Sequence, residues 1–431
     1  MDNQLKCEIL HIKSMRPRYH KGVLTLILVL KGSITIHKVE KVLTVGEGEI
    51  TFVNKSVLYY IESSDAYVLF TYVQLNEFTH IYDRIEWVEF VNINELQEYD
   101  RPLKERLTNC VIDYLINNYQ YQFEDASEDD IEFNNNQLVS MLFNQFQIIS
   151  NINEEMTHFY DDVLDRYYDI VYYINNHITE KIMIEDVLKE VYMNPTYFSQ
   201  FMKNVSGVRF KDFVKYRKLI LISTYIIDES YTMSDIALKC GMNDMKSFYT
   251  LFKKYYQTSP GKYRKKILSI EDDYQEADYL DVLEEFKVKH NIYKHKPNTV
   301  DLLSKYILSC MKNKISLKDS EIRLDIYKEA EDLEYYQPYK NLSSLMPLVR
   351  SNNIKLIMVY DIDIMKIPEQ RELLYNVIKL FCSSKKTKDP RWSIMIEIRD
   401  MEDMKLAQDI KQHINDYSTY CDVTITIRGF Y

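Results

Sequence analysis

"MKSFYTLFKKYYQTSPGKYRKK", Met245 to Lys266, is the stretch on which the reading of the central region turns. It carries Lys246, Lys253, Lys254, Lys262, Arg264, Lys265 and Lys266 and no acidic residue, in a chain of 431 residues with a formal net charge of -11. Residues 165–267 around it hold 17 Lys and Arg against 11 Asp and Glu, so a basic segment lies in the middle of an acidic chain. Charge alone describes a solvated surface as well as a binding one. The apolar spacing adds more. Phe248, Leu251, Phe252 and Tyr255 fall on one helical face as core, which leaves Met245, Lys246, Tyr249, Thr250 and Lys253 on the other.

The stretch is half of an internal duplication. "YMNPTYFSQFMKNVSG" (Tyr192–Gly207) and "GMNDMKSFYTLFKKYYQ" (Gly241–Gln257) share a Met-Asn start. Phe198, Met202 and Lys203 in the first match Phe248, Phe252 and Lys253 in the second. Each copy has helix-boundary chemistry. Asn194 is an N-cap followed by Pro195 at the first helical position, where its missing N–H costs nothing. Thr232-Met-Ser-Asp235 reads as a capping box, Gly241 as a left-handed helix end, and Asn243 as the next cap. Helix, short turn, helix is the helix-turn-helix pattern. The exposed set expected in the first copy is Thr196, Tyr197, Ser199, Gln200 and Lys203. Cations for phosphates, with hydroxyl and amide groups for base edges, suit the major groove of DNA.

Residues 165–266 resemble the DNA-binding domain of AraC/XylS transcription regulators, two helix-turn-helix units joined by a long helix. The closing signature of that family appears as Ser259-Pro260-Gly261-Lys262-Tyr263-Arg264, and Ile236-Ala237-Leu-Lys-Cys-Gly241-Met242 matches the second unit. Two pairs of positions depart from the pattern. Val187-Leu188 stands for the usual Leu-Ala pair, and the linker helix, expected over 210–228, has Lys218 and Ile222 where the family has Arg and Ala. The resemblance implies a sequence-specific regulator whose two recognition helices read adjacent major-groove half-sites of double-stranded promoter DNA. It also implies RNA polymerase, a small-molecule effector and a second copy of the chain as further partners. Arg264 and Lys265, beyond the second recognition helix, are expected at phosphates, although the family pattern also allows Arg264 to brace the helix bundle.

Composition narrows the alternatives. Eight glycines, at 22, 32, 46, 48, 207, 241, 261 and 429, form neither a Walker A loop nor a G-x-G-x-x-G turn. Six cysteines (7, 110, 240, 310, 382 and 421) form no C-x-x-C pair and read as reduced thiols of a cytoplasmic protein, Cys240 among them as a small core residue. The nine histidines are dispersed, so neither a metal nor a cofactor is expected. The longest apolar run, Val23–Leu30, is strand length, and the N-terminus has no signal-peptide pattern.

The expected fold is multidomain, with a β-rich cupin-like barrel at 1–155 including trailing helices, an all-α double helix-turn-helix at 160–268, and an α/β region at 275–431. The first 90 residues alternate as short strands with turn signals. They resemble the cupin-like sensor arm of the same family, read here as a non-metal sensor or dimerisation module. "EDASEDDIEFNNN" reads as a solvated loop before a helix at 137–149. That helix and one near 103–122 fit either a dimer seam or packing against the barrel. "EIRLDIY", "IKLIMVYDID", "WSIMIEIRD" and "CDVTITIRG" read as strands, with helices at 341–353, 368–383 and 402–417, so βα units and a parallel sheet are expected. This part resembles the start of a glycoside-hydrolase-like barrel, as in large Rsp- and Rbf-type regulators of Gram-positive bacteria. About four strands make it partial, and truncation or an open sheet is the expectation. The Asn-Glu pair that supplies the acid/base in such hydrolases is missing from Trp392–Asp400, so no enzyme is expected. The alternative reading is a carbohydrate-binding or glycosidase-like protein with an attached DNA-binding domain.

Overall fold

The structure is a computed structural model. It describes residues 4–39, 41–79, 84–91, 101–123, 126–146, 160–276 and 280–290, then 316–318, 320–326, 353–368, 392–417 and 422–427 among shorter pieces. The chain divides into two compact units, one of residues 1–135, 146–151 and 161–293, the other of 136–145, 152–160 and 294–431.

The first unit contains a seven-stranded antiparallel sheet: β1 (Leu5–Arg18), β2 (Val23–Lys31), β3 (Ser33–Lys38), β4 (Val42–Gly46), β5 (Ile50–Val53), β6 (Tyr59–Gln74) and β7 (Asp273–Glu276). The order is β4-β3-β6-β1-β7, with β2 joined to β5 and β6. The apolar run Val23–Leu30 is β2, buried along its whole length except Lys31, which is why it lacks the alternation of a half-exposed strand. Gly32 makes the turn into β3 at φ +82°, where a Cβ would lie 2.4 Å from the Asp65 carbonyl oxygen. β7 comes from far along the chain, beyond the helical region, and closes onto β1 in the register Ile12↔Tyr274 and Ser14↔Asp273.

The helices of this unit include α1 (Arg101–Gln120) and the start of α2 (Glu128–Gln145). The acidic stretch expected as a loop is therefore helical from Glu128. Ser127 starts it: its hydroxyl accepts from the Asp130 N–H at 3.2 Å and donates to the Asp130 carboxylate at 2.7 Å. Asn134 and Asn135 are buried rather than solvated, and Asn134 donates to the Tyr114 carbonyl at 3.1 Å. Then follow α3 (Tyr160–Asn176), α4 (Ile184–Glu190), α5 (Pro195–Ser206), α6 (Phe210–Ile226), α7 (Met233–Lys239), α8 (Met245–Tyr256), α9 (Pro260–Leu268) and α10 (Leu280–Lys289). A single apolar cluster joins sheet residues Ile12, Ile36 and Tyr60 to Leu219, Phe252 and Ile267 of the helices. Sheet and helices therefore share a core.

The second unit holds four parallel strands in chain order: β8 (Glu321–Ile326), β9 (Lys355–Asp361), β10 (Trp392–Ile398) and β11 (Asp422–Ile427). α11 (Met404–Tyr417) makes the crossover from β10 to β11 and buries Ala407, Ile410 and Ile414. The helices expected at 341–353 and 368–383 fall largely outside the described residues. The carboxylates at the C-terminal ends of these strands are held by cations: Asp361 by Arg399 at 3.0 Å, and Glu397 by Arg323. Among the described residues, no group of three or more His, Cys, Asp or Glu is placed to hold a metal ion, and no helix is long and apolar enough to cross a membrane.

Candidate nucleic-acid interface

In the two helix pairs α4–α5 and α7–α8, α5, α7 and α8 each begin at a side-chain cap, while α4 starts after Met183 without one. Asn194 caps α5, its side-chain oxygen accepting from the Tyr197 N–H at 2.8 Å, with Pro195 in the first turn and Gly207 closing the helix at φ +71°. α7 opens with a reciprocal capping box between Thr232 and Asp235. α8 is capped by Asp244, one residue later than the Asn243 expected. Its carboxylate accepts from the Lys246 and Ser247 N–H groups at 3.0 Å each. The turns differ in length. The first unit passes from a left-handed Tyr192 to its cap in two residues, the second from a left-handed Gly241 in three, which moves the cap along.

Phe198, Phe201, Met202 and Val205 bury one face of α5, while Thr196, Tyr197, Ser199, Gln200 and Lys203 are exposed on the other. In α8, Phe248, Leu251 and Phe252 are buried and Lys246, Tyr249, Thr250 and Lys253 are exposed. Met245 is placed otherwise than expected: it is half-buried against the apolar cluster, because the first turn of α8 leans on the core. Ser247 takes the exposed place beside Lys246. It went unread in the sequence because a serine so close to a helix start signals capping, and its hydroxyl does donate to Asp244 at 2.5 Å. Thr250 Oγ1 donates to the Lys246 carbonyl at 2.7 Å, which fixes its rotamer and keeps its lone pairs outward.

Arg264 corrects the expectation of a phosphate contact. Its guanidinium turns inward and donates to the carbonyls of Ile226 at 2.7 Å and Tyr231 at 2.8 Å, so it ties α9 to the end of α6. Lys265 remains exposed beside it. Lys218 is a residue the sequence flagged only as a departure from pattern. It lies buried in α6 and donates to the carbonyls of Glu180 at 2.8 Å, Cys240 at 2.7 Å and Gly241 at 3.3 Å. Cys240 is fully buried, and burial pushes its thiol up to about 12, which leaves it unreactive at neutral pH.

The entry end of this helical region is fastened to the segment that follows β6, the exit end to the sheet. On the entry side Arg84 meets Asp169 at 2.8 Å, and Arg217 of α6 pairs with Glu89. On the exit side Asp272 binds Arg16 at 3.1 Å and Arg18 at 2.9 Å, β7 pairs with β1, and Glu285 of α10 meets Lys31 at 3.1 Å. None of these contacts uses the exposed faces of α5 or α8. A cleft of about 380 Å³ lies along this seam, bordered by Lys38, Asn54, Glu89, Asp212, Phe213 and Tyr216.

The same seam contains a titrating group. Lys55 donates to the Glu86 carbonyl, lies over the Trp87 ring at 5.6 Å and is pulled down to about 8 by burial, with Arg217 adding to the effect. An unfolded lysine keeps its proton to about 10.4. Between those values the unfolded chain binds more protons, so Lys55 makes stability rise with pH, and Lys218, lowered by burial, acts in the same direction. Cys7 and Cys240, pushed up to about 12 by burial, act in the opposite direction over the same range, so the effect is read as a difference: from pH 7.5 to 9.5 the wild-type chain is expected to gain roughly 1–2 kcal/mol in stability relative to Lys55→Met. Above that range buried tyrosines such as Tyr59, held well above their ordinary value by burial, make stability fall with pH in both chains. Parallel curves for the two chains over this window refute the assignment.

With this geometry described, comparison with known proteins defines the class. The family model for a helix-turn-helix domain matches residues 187–266. Regulatory protein PocR of Salmonella typhimurium is 28% identical over 95 residues, 22% of this chain and 31% of that protein. An uncharacterized response regulatory protein of Staphylococcus epidermidis is 32% identical over 103 residues, 23% of this chain and 41% of that protein. The chain therefore spans less than half the length of these two relatives. ToxT of Vibrio cholerae O395, a solved structure, aligns over 62% of this chain and 99% of its own at 11% identity, with a TM-score of 0.36. The matched region is a DNA-binding helix-turn-helix domain. It is of the AraC type, and its homologues are transcription regulators.

Proposed function

We propose that this chain is a sequence-specific transcription regulator in which α5 and α8 read two adjacent major-groove half-sites of promoter DNA. The observation that supports this reading is the pair of capped helices, each with its apolar face buried and a polar, basic face open. Lys246 and Thr250, one turn apart, face base edges, and Ser199 and Gln200 do so in the first unit. Tyr197, Tyr249, Lys203, Lys253 and Lys265 serve the flanking backbone, and Arg264 acts as a brace. The cleft beside Lys38 is the place for a small-molecule effector, a second copy of the chain and RNA polymerase are its further partners, and it works in the cytoplasm without catalysis. The pairing of Asp361 and Glu397 with arginines favours a structural over an acid–base role for the C-terminal strand ends.

The test is base discrimination. Lys246→Ala and Thr250→Ala are each expected to weaken binding to the cognate duplex by about 1–3 kcal/mol and to leave binding to a scrambled duplex nearly unchanged. Equal losses on both duplexes, measured by fluorescence anisotropy, would remove α8 from base reading.

A further inference from the structure

We propose that Lys218 is a positioning residue, whose ammonium fixes the separation and angle of α5 and α8 and so the half-site spacing that the domain accepts. The inference rests on the reading of those two helices as DNA readers. Its basis is where the three partners of one side chain lie. Glu180 belongs to the loop that enters α4, and so sets α5; Cys240 and Gly241 form the turn between α7 and α8. Lys218 itself stands on α6, the helix between the two units. One buried cation thus ties both helix-turn-helix units to the linker, and through backbone atoms only.

The second unit's turn is also pressed against the first unit's loop. A Cβ added at Gly241 would lie 2.5 Å from the Thr179 carbonyl oxygen and 2.7 Å from that of Glu180. The cation fills the carbonyl-lined gap beside this approach and meets the negative end of α7, where unpaired carbonyls gather. Burying a lysine is costly, and an apolar residue of similar length would fill the same space without that cost. What an apolar residue cannot do is converge on three carbonyls from two different units. A tetrahedral ammonium can, because its three donors point apart.

The experiment uses the full chain and a duplex selected by the wild type from a random-sequence pool. Companion duplexes have one base pair added between the half-sites, or a single half-site retained. One added base pair moves the second site by about 3.4 Å along the axis and turns it about the helix. The wild type is expected to lose roughly tenfold or more in affinity on that insertion, because joined readers gain avidity only when both engage. Lys218→Met is expected to bind the single half-site as the wild type does, to lose roughly tenfold on the selected duplex, and to respond less than about threefold to the insertion. Lys218→Arg, which returns donors to the same carbonyls, is expected to restore part of the spacing preference. Lys218→Gln goes through the same duplexes, so that the result does not depend on the methionine variant folding. The proposal is overturned if the folded variants keep the wild-type spacing preference, or if they lose single-site and two-site binding equally. A wild-type chain without sequence-dependent binding to any duplex overturns the DNA-reading role itself, a distinct result.

Discussion

Gly241→Ala is expected to destabilise the first unit far more than Gly207→Ala, although both glycines end a helix or its turn with left-handed backbone. At Gly207, φ is +71° and an added Cβ meets nothing within 4 Å. That substitution costs only the backbone term, about 1 kcal/mol. At Gly241, φ is +63°, and the same methyl group would sit 2.5 Å and 2.7 Å from two carbonyl oxygens of the 179–180 loop. Those oxygens cannot swing away as a flexible side chain can. The loop must move as a whole, and the Lys218 bond to the Glu180 carbonyl is stretched as it does so. A loss of about 3–5 kcal/mol is expected, in the range of severe core substitutions. Chemical denaturation of the full chain and the two variants measures both values. Equal losses for the two glycines would mean that the second unit's turn is not pressed against the first unit's loop.

This contrast marks how far the sequence carries the structure. Helix ends were legible because their causes are local: Asn194 with Pro195, the Thr232–Asp235 box, and Gly241 each act within four residues. The polar faces of α5 and α8 were legible because a helix of fixed period sorts its own side chains. The failures are tertiary. Met245 has the right period for the open face but lies where the helix start meets the core. Arg264 and Lys265 are adjacent cations in sequence, and only the carbonyls of Ile226 and Tyr231, more than thirty residues away, decide that one turns inward. Lys218 could be noticed as an unusual residue in a linker helix, but not given its three partners, which come from two distant turns. β7 was hidden for another reason. Asp-Tyr-Gln-Glu, which has one aromatic among polar residues, has little strand propensity of its own, and becomes a strand by completing the ladder of β1. The acidic stretch that opens α2 misled through composition, because Asp and Asn signal loops unless an upstream Ser127 caps them into a helix.

The second large effect is electrostatic, and it separates the two helix-turn-helix units. Lys246, Lys253, Lys254, Lys262, Lys265 and Lys266 are all exposed on α8 and α9. In the first unit Lys203 is the only cation on α5, and Lys189 of α4 lies 3.6 Å from Asp186. Lys246 is assigned to bases, Lys254 rests 5.1 Å from the centre of the Tyr255 ring, and Lys266 5.9 Å from that of Tyr60. Lys253, Lys262 and Lys265 together with Lys203 of α5 account for roughly four phosphate contacts, so the logarithm of the binding constant should fall with the logarithm of salt at a slope of about −4. Raising salt from about 50 to 200 mM then costs on the order of 10²- to 10³-fold in affinity. Counterion release is additive over contacts, so Lys265→Ala should lower the slope by about one unit on cognate and scrambled duplex alike. Lys189→Ala removes the same charge from a side chain already engaged on α4 and should leave the slope in place. The two variants therefore test where the phosphates lie. A shallow wild-type slope, near −1 or less, would mean that the exposed lysines of α8 and α9 solvate the surface without touching DNA. Identical slopes for the two variants would mean that net charge, rather than the geometry of α8 and α9, governs the interaction.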